Sequence, residues 1–259
     1  MGIQLGLCRF KELQIAVWKG ERNDDRLYYA LHRDSPVHSG YQAVCRDDSD
    51  SAASEPFSWL SQLKISGELS QYGPALAVLE SGTNATLVAV WAGRSNQASP
   101  NYLWSTAVPI KENIHTGLVG AFPGEPREIL GKKAISASGV SIATDDAGTT
   151  LYAAWTREGT TKVYYATGTL DETGLVNWSE PKLVMGIASN TGVALFRHGF
   201  GGDSIWAAWS DAFSGELYTA DLLALTESSL SLPLSMRITS KPLVDSHDWT
   251  YPELQFALR

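Results

Sequence analysis

The chain has 259 residues, 44 % of them hydrophobic, with a formal net charge of −8. That hydrophobic content excludes bulk disorder, and the surplus of acids repels polyphosphate, so no nucleic-acid partner is expected. No run reaches the roughly 18 apolar residues that a membrane-spanning helix needs, so no membrane insertion is expected, and Cys8 and Cys45 alone do not make a disulfide scaffold.

Taken in order, the segments repeat. Residues 3–7 form a weak first strand, residues 13–18 run Leu-Gln-Ile-Ala-Val-Trp, residues 26–30 carry Tyr28 and Tyr29, and residues 61–65 end the unit. The second unit opens with Gly-Pro at 73–79, continues through 87–91 to Trp91, then 102–106 with Trp104, then 125–129. The third opens at 139–144, continues through 151–155 to Trp155, then 162–167 with Tyr164 and Tyr165, then 177–184. The fourth has 192–196, then 205–209 ending at Trp209, then 216–220 with Tyr218. Residues 220–227 read as a short helical turn, and residues 251–258 as an unmatched strand.

Period-2 alternation in every phrase argues for strands. Each unit therefore holds an inner strand of small residues, a strand ending in Trp, an aromatic strand and an outer strand. Proline in the outer segments confines them to sheet edges. Four antiparallel strands repeated radially predict an all-β fold, a β-propeller of four or five blades. A single domain over residues 1–259 is expected, with units at about 3–66, 73–130, 138–184 and 191–240. A closing strand at 250–258 would pair with the N-terminal strand and remove the open edges. Trp18, Trp91, Trp155 and Trp209 read as wedges between neighbouring sheets. The long connections at 32–56 and 107–128 cost little stability and suit function.

Five histidines, at 32, 38, 115, 198 and 247, have no metal-ligand spacing, so no metal is expected. Phosphate-cradling glycine loops and a Gly-x-Ser-x-Gly elbow are absent, so no cofactor is expected. Carboxylates cluster near turns, and sequence spacing does not show two of them flanking one bond, as glycoside hydrolysis requires. The N-terminus shows no secretory leader, and localisation stays open between cytoplasm and secretion.

The remaining chemistry is aromatic faces beside hydrogen-bonding side chains, which suits sugars. The candidates follow each Trp phrase: Arg22 and Tyr29, then Arg94, Asn96 and Trp104, then Arg157, Glu158 and Tyr165, then Asp211 and Tyr218. Residues 144–151 resemble the Asp-box of sialidase-type propellers, with Asp146 and Gly148 expected to shape a hairpin turn.

The stretches 73–77 (Gly-Pro-Ala-Leu-Ala), 90–93 (Val-Trp-Ala-Gly), 163–167 (Val-Tyr-Tyr-Ala-Thr) and 177–181 (Asn-Trp-Ser-Glu-Pro) together resemble fungal and bacterial β-propeller lectins, fucose-binding and sialidase-like propellers among them. The resemblance spans about residues 3–221. It implies sugar pockets between adjacent blades, with Arg94 beside Trp104 and Arg157 beside Glu158 as contact sets. The expected function is carbohydrate binding, with a neutral or weakly charged glycan or another small molecule as partner and a homo-oligomer left open. The alternative is an enzyme with one active site at the channel mouth, acting on a glycan or an apolar metabolite. A protein-interaction platform is the third reading.

Overall fold

The tryptophan phrases pair as hairpins with the aromatic phrases that follow them. In the computed structural model, residues 5–10, 13–20, 24–33, 63–81, 84–93, 101–110, 127–129, 134–197, 204–227, 236–239 and 255–258 are described. The first sheet takes β1 (Leu5–Phe10), β2 (Leu13–Lys19), β3 (Arg26–Arg33) and β4 (Leu63–Leu69) in that order. The second takes β5 (Ala75–Ser81), β6 (Asn84–Gly93), β7 (Tyr102–Ile110) and β8 (Arg127–Glu128). All pairings are antiparallel.

The third and fourth units share one strand. β9 (Ser141–Thr144), β10 (Leu151–Thr156), β11 (Lys162–Leu170) and the short β12 (Val176–Trp178) belong to the third unit. β13 (Lys182–Arg197) pairs with β11 through its first part and with β14 (Ile205–Asp211) through its second. It is thus the outer strand of one unit and the inner strand of the next. Its register shifts between Ser189 and Val193, where Gly192 takes a φ of 106° that side-chain-bearing residues rarely adopt. β15 (Leu217–Asp221), the six-residue helix α1 (Leu222–Glu227), β16 (Met236–Thr239) and β17 (Gln255–Leu258) complete the fourth unit.

Two expectations change. β17 pairs with β16, from Met236↔Leu258 to Thr239↔Gln255, and lies at the outer edge of the fourth unit. Its expected pairing with the N-terminal strand is not seen among the described residues, where β1 pairs with β2. The turn at 144–151 is organised by Asp145 rather than Asp146. The Asp145 carboxylate accepts the N–H groups of Thr149 (2.8 Å) and Thr150 (3.0 Å), while Asp146 pairs with Arg197 at 3.0 Å. Gly148 does turn the chain there, with φ 67°.

The inner strands follow one another side by side, β1 against β5, β5 against β9 and β9 against β13. Between them the sheets bury three apolar layers. Trp91 enters the layer between the first two sheets, with Ile15, Val17 and Tyr29. Trp155 enters the next, with Val90, Leu103 and Ile129, and Trp209 the third, with Val163 and Tyr165. Each of these tryptophans faces the preceding unit and is buried, as the wedge reading requires, while Trp18 is half-buried.

A polar staple repeats beside each wedge. Ser70, Ser136 and Ser189 stand three residues before Gly73, Gly139 and Gly192, and are 1 %, 0 % and 0 % exposed. Their N–H groups donate to carbonyls of the preceding unit: Ser70 to Asp25 (2.7 Å), Ser136 to Asn101 (2.9 Å) and Ser189 to Thr161 (2.8 Å). Each hydroxyl closes the turn into its own inner strand. Ser136 Oγ donates to the Ser138 carbonyl (2.6 Å) and accepts the Ser138 N–H, and Ser189 Oγ donates to the Gly192 carbonyl (2.7 Å). Ser70 Oγ contacts the Tyr72 and Ala92 carbonyls.

Removing one hydroxyl leaves buried partners without their bond, a cost of about 1–3 kcal/mol. Ser136→Ala is expected to lower the unfolding free energy by that amount, read as a lower urea midpoint with an unchanged denaturant slope. Ser214→Ala, on an exposed turn, is expected to shift stability by less than about 0.5 kcal/mol.

Candidate functional site

Each Trp phrase ends opposite the start of its inner strand, Trp18 at Leu5, Val90 at Ala75, Ala154 at Ser141 and Trp209 at Val193, so these strand ends lie at the end where the inner strands begin. Register places Trp18 opposite Tyr28, Trp91 opposite Trp104, Trp155 opposite Tyr164 and Trp209 opposite Tyr218. Three of these pairs stack, with ring centroids 6.3, 6.5 and 5.9 Å apart and interplanar angles of 22–24°. Stacked pairs of this kind stabilise beyond the area they bury.

A charged neighbour then holds each tyrosine hydroxyl. Tyr28 donates to Asp24 Oδ2 at 2.6 Å, and Arg26 grips the same carboxylate through Nε (2.5 Å) and Nη2 (2.8 Å). The Arg26 bonds, and then the Tyr28 bond, hold the Asp24 carboxyl well below the usual carboxylate range, while the Asp24 bond pushes the Tyr28 phenol up. Tyr164 has Arg157 over its ring at 5.7 Å, with Nη1 3.5 Å from its oxygen. Tyr218 donates to Glu216 Oε2 at 2.8 Å.

The other candidates play local parts. Glu158 Oε2 accepts the Asn101 N–H at 3.3 Å, tying the third hairpin to the second unit. Asp211 caps its turn by accepting the N–H groups of Ser214 (2.8 Å) and Phe213 (3.0 Å), and these bonds, the Ser214 backbone first, lower its pKa. Tyr29 and Tyr165 are packed inside the apolar layers at 0 % and 4 % exposure. They are therefore core residues rather than ligand contacts, because each is one step out of register from the stacked aromatics. Trp104 is half-buried opposite Trp91. Arg22, Arg94 and Asn96 lie outside the described residues.

The described predicted residues thus lie on separate hairpins and strands, and none of them lines the cavity at the same end. That cavity, of about 610 Å³, lies between the inner strands. The chain bends into it at Gly73, Gly139 and Gly192, and Ser141, Thr191 and Ser210 bring hydroxyls. Ser141 Oγ accepts the Leu195 N–H at 2.8 Å, which leaves its own proton to donate. Ala208, Trp209 and Leu217 of the fourth unit close one side. No Asp, Glu, His, Lys or Arg is among the described lining residues. Sequence reasoning missed these positions; the glycine that opens each inner strand was their one legible signal. Among the described residues no group of three or more His, Cys, Asp or Glu could hold a metal ion.

No protein-family model matches the chain, and comparison with curated proteins gives no match. Among solved structures, the chain is similar to an exo-β-1,3-galactanase from Phanerochaete chrysosporium, solved with β-1,3-galactotriose. Identity is 10 % and the TM-score 0.47, over 88 % of this chain and 48 % of that one. The chain spans about half the length of that protein.

The Asp24 network has a pH consequence. Its pKa is lower folded than the roughly 3.9 of an unfolded aspartate, so its contribution is full above that value and fades as pH falls through the folded one. Urea unfolding from pH 6 to pH 2 is expected to show a shallower acid decline for Asp24→Asn than for the wild type. An equal decline would remove Asp24 from the acid response.

Proposed function

We propose that the chain is a carbohydrate-binding β-propeller, a ring of four or five blades that holds a neutral glycan in the cavity between its inner strands. The observation that carries this reading is the lining of that cavity: hydroxyls and strand-opening backbone beside apolar side chains, with no ionisable group among the described lining residues. Such a site suits neutral hydroxyls and C–H faces, and it disfavours an anion or cation, which would lose hydration without a charged partner. Binding is favoured over cleavage, because glycoside hydrolysis needs paired carboxylates at the bond. In this reading Arg157 and Glu158 of the third hairpin stand at the same end as the cavity.

A panel of neutral glycans, followed by calorimetry, tests the reading. One site per chain is expected. Ala194 is exposed and lines the cavity, so Ala194→Trp is expected to abolish binding while the thermal midpoint holds. Several equal sites per chain would move binding to pockets between the blades, and no binding at millimolar glycan would remove the function altogether.

A further inference from the structure

One position breaks the repeat inside the apolar layers. Val17, Val90, Ala154 and Ala208 stand just before the four tryptophans, and their cross-strand partners are Tyr29, Ser105, Tyr165 and Thr219. Tyr29 and Tyr165 fill the first and third layers. Ser105 holds the same place in the second sheet and is 3 % exposed, although its side chain is far smaller. The ring that reaches it comes from the third unit. Trp178 Nε1 donates to Ser105 Oγ at 2.9 Å, across 73 residues of chain. Trp178 also packs against the layer that Leu103, Trp155 and Val176 share.

β12 carries this tryptophan, and its neighbour on β11 leaves room for it. Trp178 lies opposite Gly168. A Cβ at Gly168 would stand 2.7 Å from Val176 Cγ1 and 2.8 Å from Trp178 Cε3, closer than carbon atoms pack. The residue after Trp178 fixes the strand: the Ser179 N–H donates to the Thr167 carbonyl (2.7 Å), and Ser179 Oγ accepts the Thr167 N–H (2.9 Å). The outer edge of the third unit is therefore divided. β12 reaches back to the second unit through Trp178, while β13 runs on into the fourth.

We propose that Trp178 is a key between the second and third sheets, which makes the opening of β12 and the loosening of β7 one event. Apolar contact alone would let a three-residue edge strand fray by itself. A directional bond from that strand to a buried hydroxyl of the next sheet couples the two openings. The third unit then grips both neighbours, the second by Trp178 and the fourth by β13. The proposal stands apart from the glycan reading, and neither depends on the other.

Native-state hydrogen exchange of the full chain tests the coupling. In the wild type, the β11 amides beside β12 and the β7 amides are expected to exchange through a common opening with the same dependence on urea. Gly168→Ala, whose methyl group displaces the Trp178 ring, is expected to speed exchange about tenfold in both strands. Trp178→Phe, which keeps a ring and removes the N–H, is expected to speed both by a smaller factor. Asn177→Ala, at an exposed position of the same strand, is expected to change neither. Faster exchange confined to β11 and β12, with β7 unchanged, overturns the proposal, as does unchanged exchange in both variants. Where Gly168→Ala does not fold, Trp178→Phe decides by the same criterion.

Discussion

The junction from each sheet to the next turns on one backbone hydrogen bond made three times, where the buried serine adds a last rung to the preceding sheet by donating to the carbonyl just before its aromatic strand. Burial of the apolar layers that hold Trp91, Trp155 and Trp209 draws the sheets together, yet apolar burial has no direction and does not by itself fix how far one sheet slides along another. An N–H···O bond does, because it weakens steeply off its line. The serine hydroxyl makes that bond reliable by closing the turn so that the N–H points at the preceding unit. The wedge and the staple thus divide the work between energy and geometry.

The same division explains what the sequence revealed. The Trp and aromatic strands were legible because their alternation is local and long: residues 151–155 and 162–167 fall within β10 and β11. β13 was not legible as one strand. Residues 177–184 and 192–196 read as separate strands, yet residues 182–197 run as one, with Gly186 and Gly192 at positive φ where it changes partners. The serine staples were hidden for a related reason, since Ser-x-x-Gly also reads as ordinary turn chemistry. Asp145 and Asp146 are neighbours of identical type, and only hydrogen-bond geometry tells which one caps the turn.

Register decided the fate of the predicted site. Counting from the cross-strand partner of each Trp gives Tyr28, Trp104, Tyr164 and Tyr218 as one equivalent set, and Tyr29, Ser105, Tyr165 and Thr219 as the next. The candidates drew from both sets, and the two tyrosines of the second set are core. The cavity residues could not be read at all, because Ser141, Thr191 and Ser210 carry no distinctive spacing. They matter only because two inner strands, β9 and β13, and the neighbouring β14 bring them to one place.

Charge at the hairpins follows from this geometry and narrows the chemistry of recognition. Asp24 is held by Arg26 and Tyr28, Arg157 lies on Tyr164, and Glu216 accepts from Tyr218. A side chain already fixed on an aromatic stack has less left to offer a ligand, and to engage one it must give up a bond that steadies the hairpin. The Ser141 hydroxyl at the cavity is under no such constraint, since a serine that accepts from backbone still has a proton to donate. The repeat therefore places its charges where they order the scaffold, and leaves uncharged groups where three inner strands converge. Beside those groups, Ala208 and Leu217 of the fourth unit bring apolar side chains from its second and third strands.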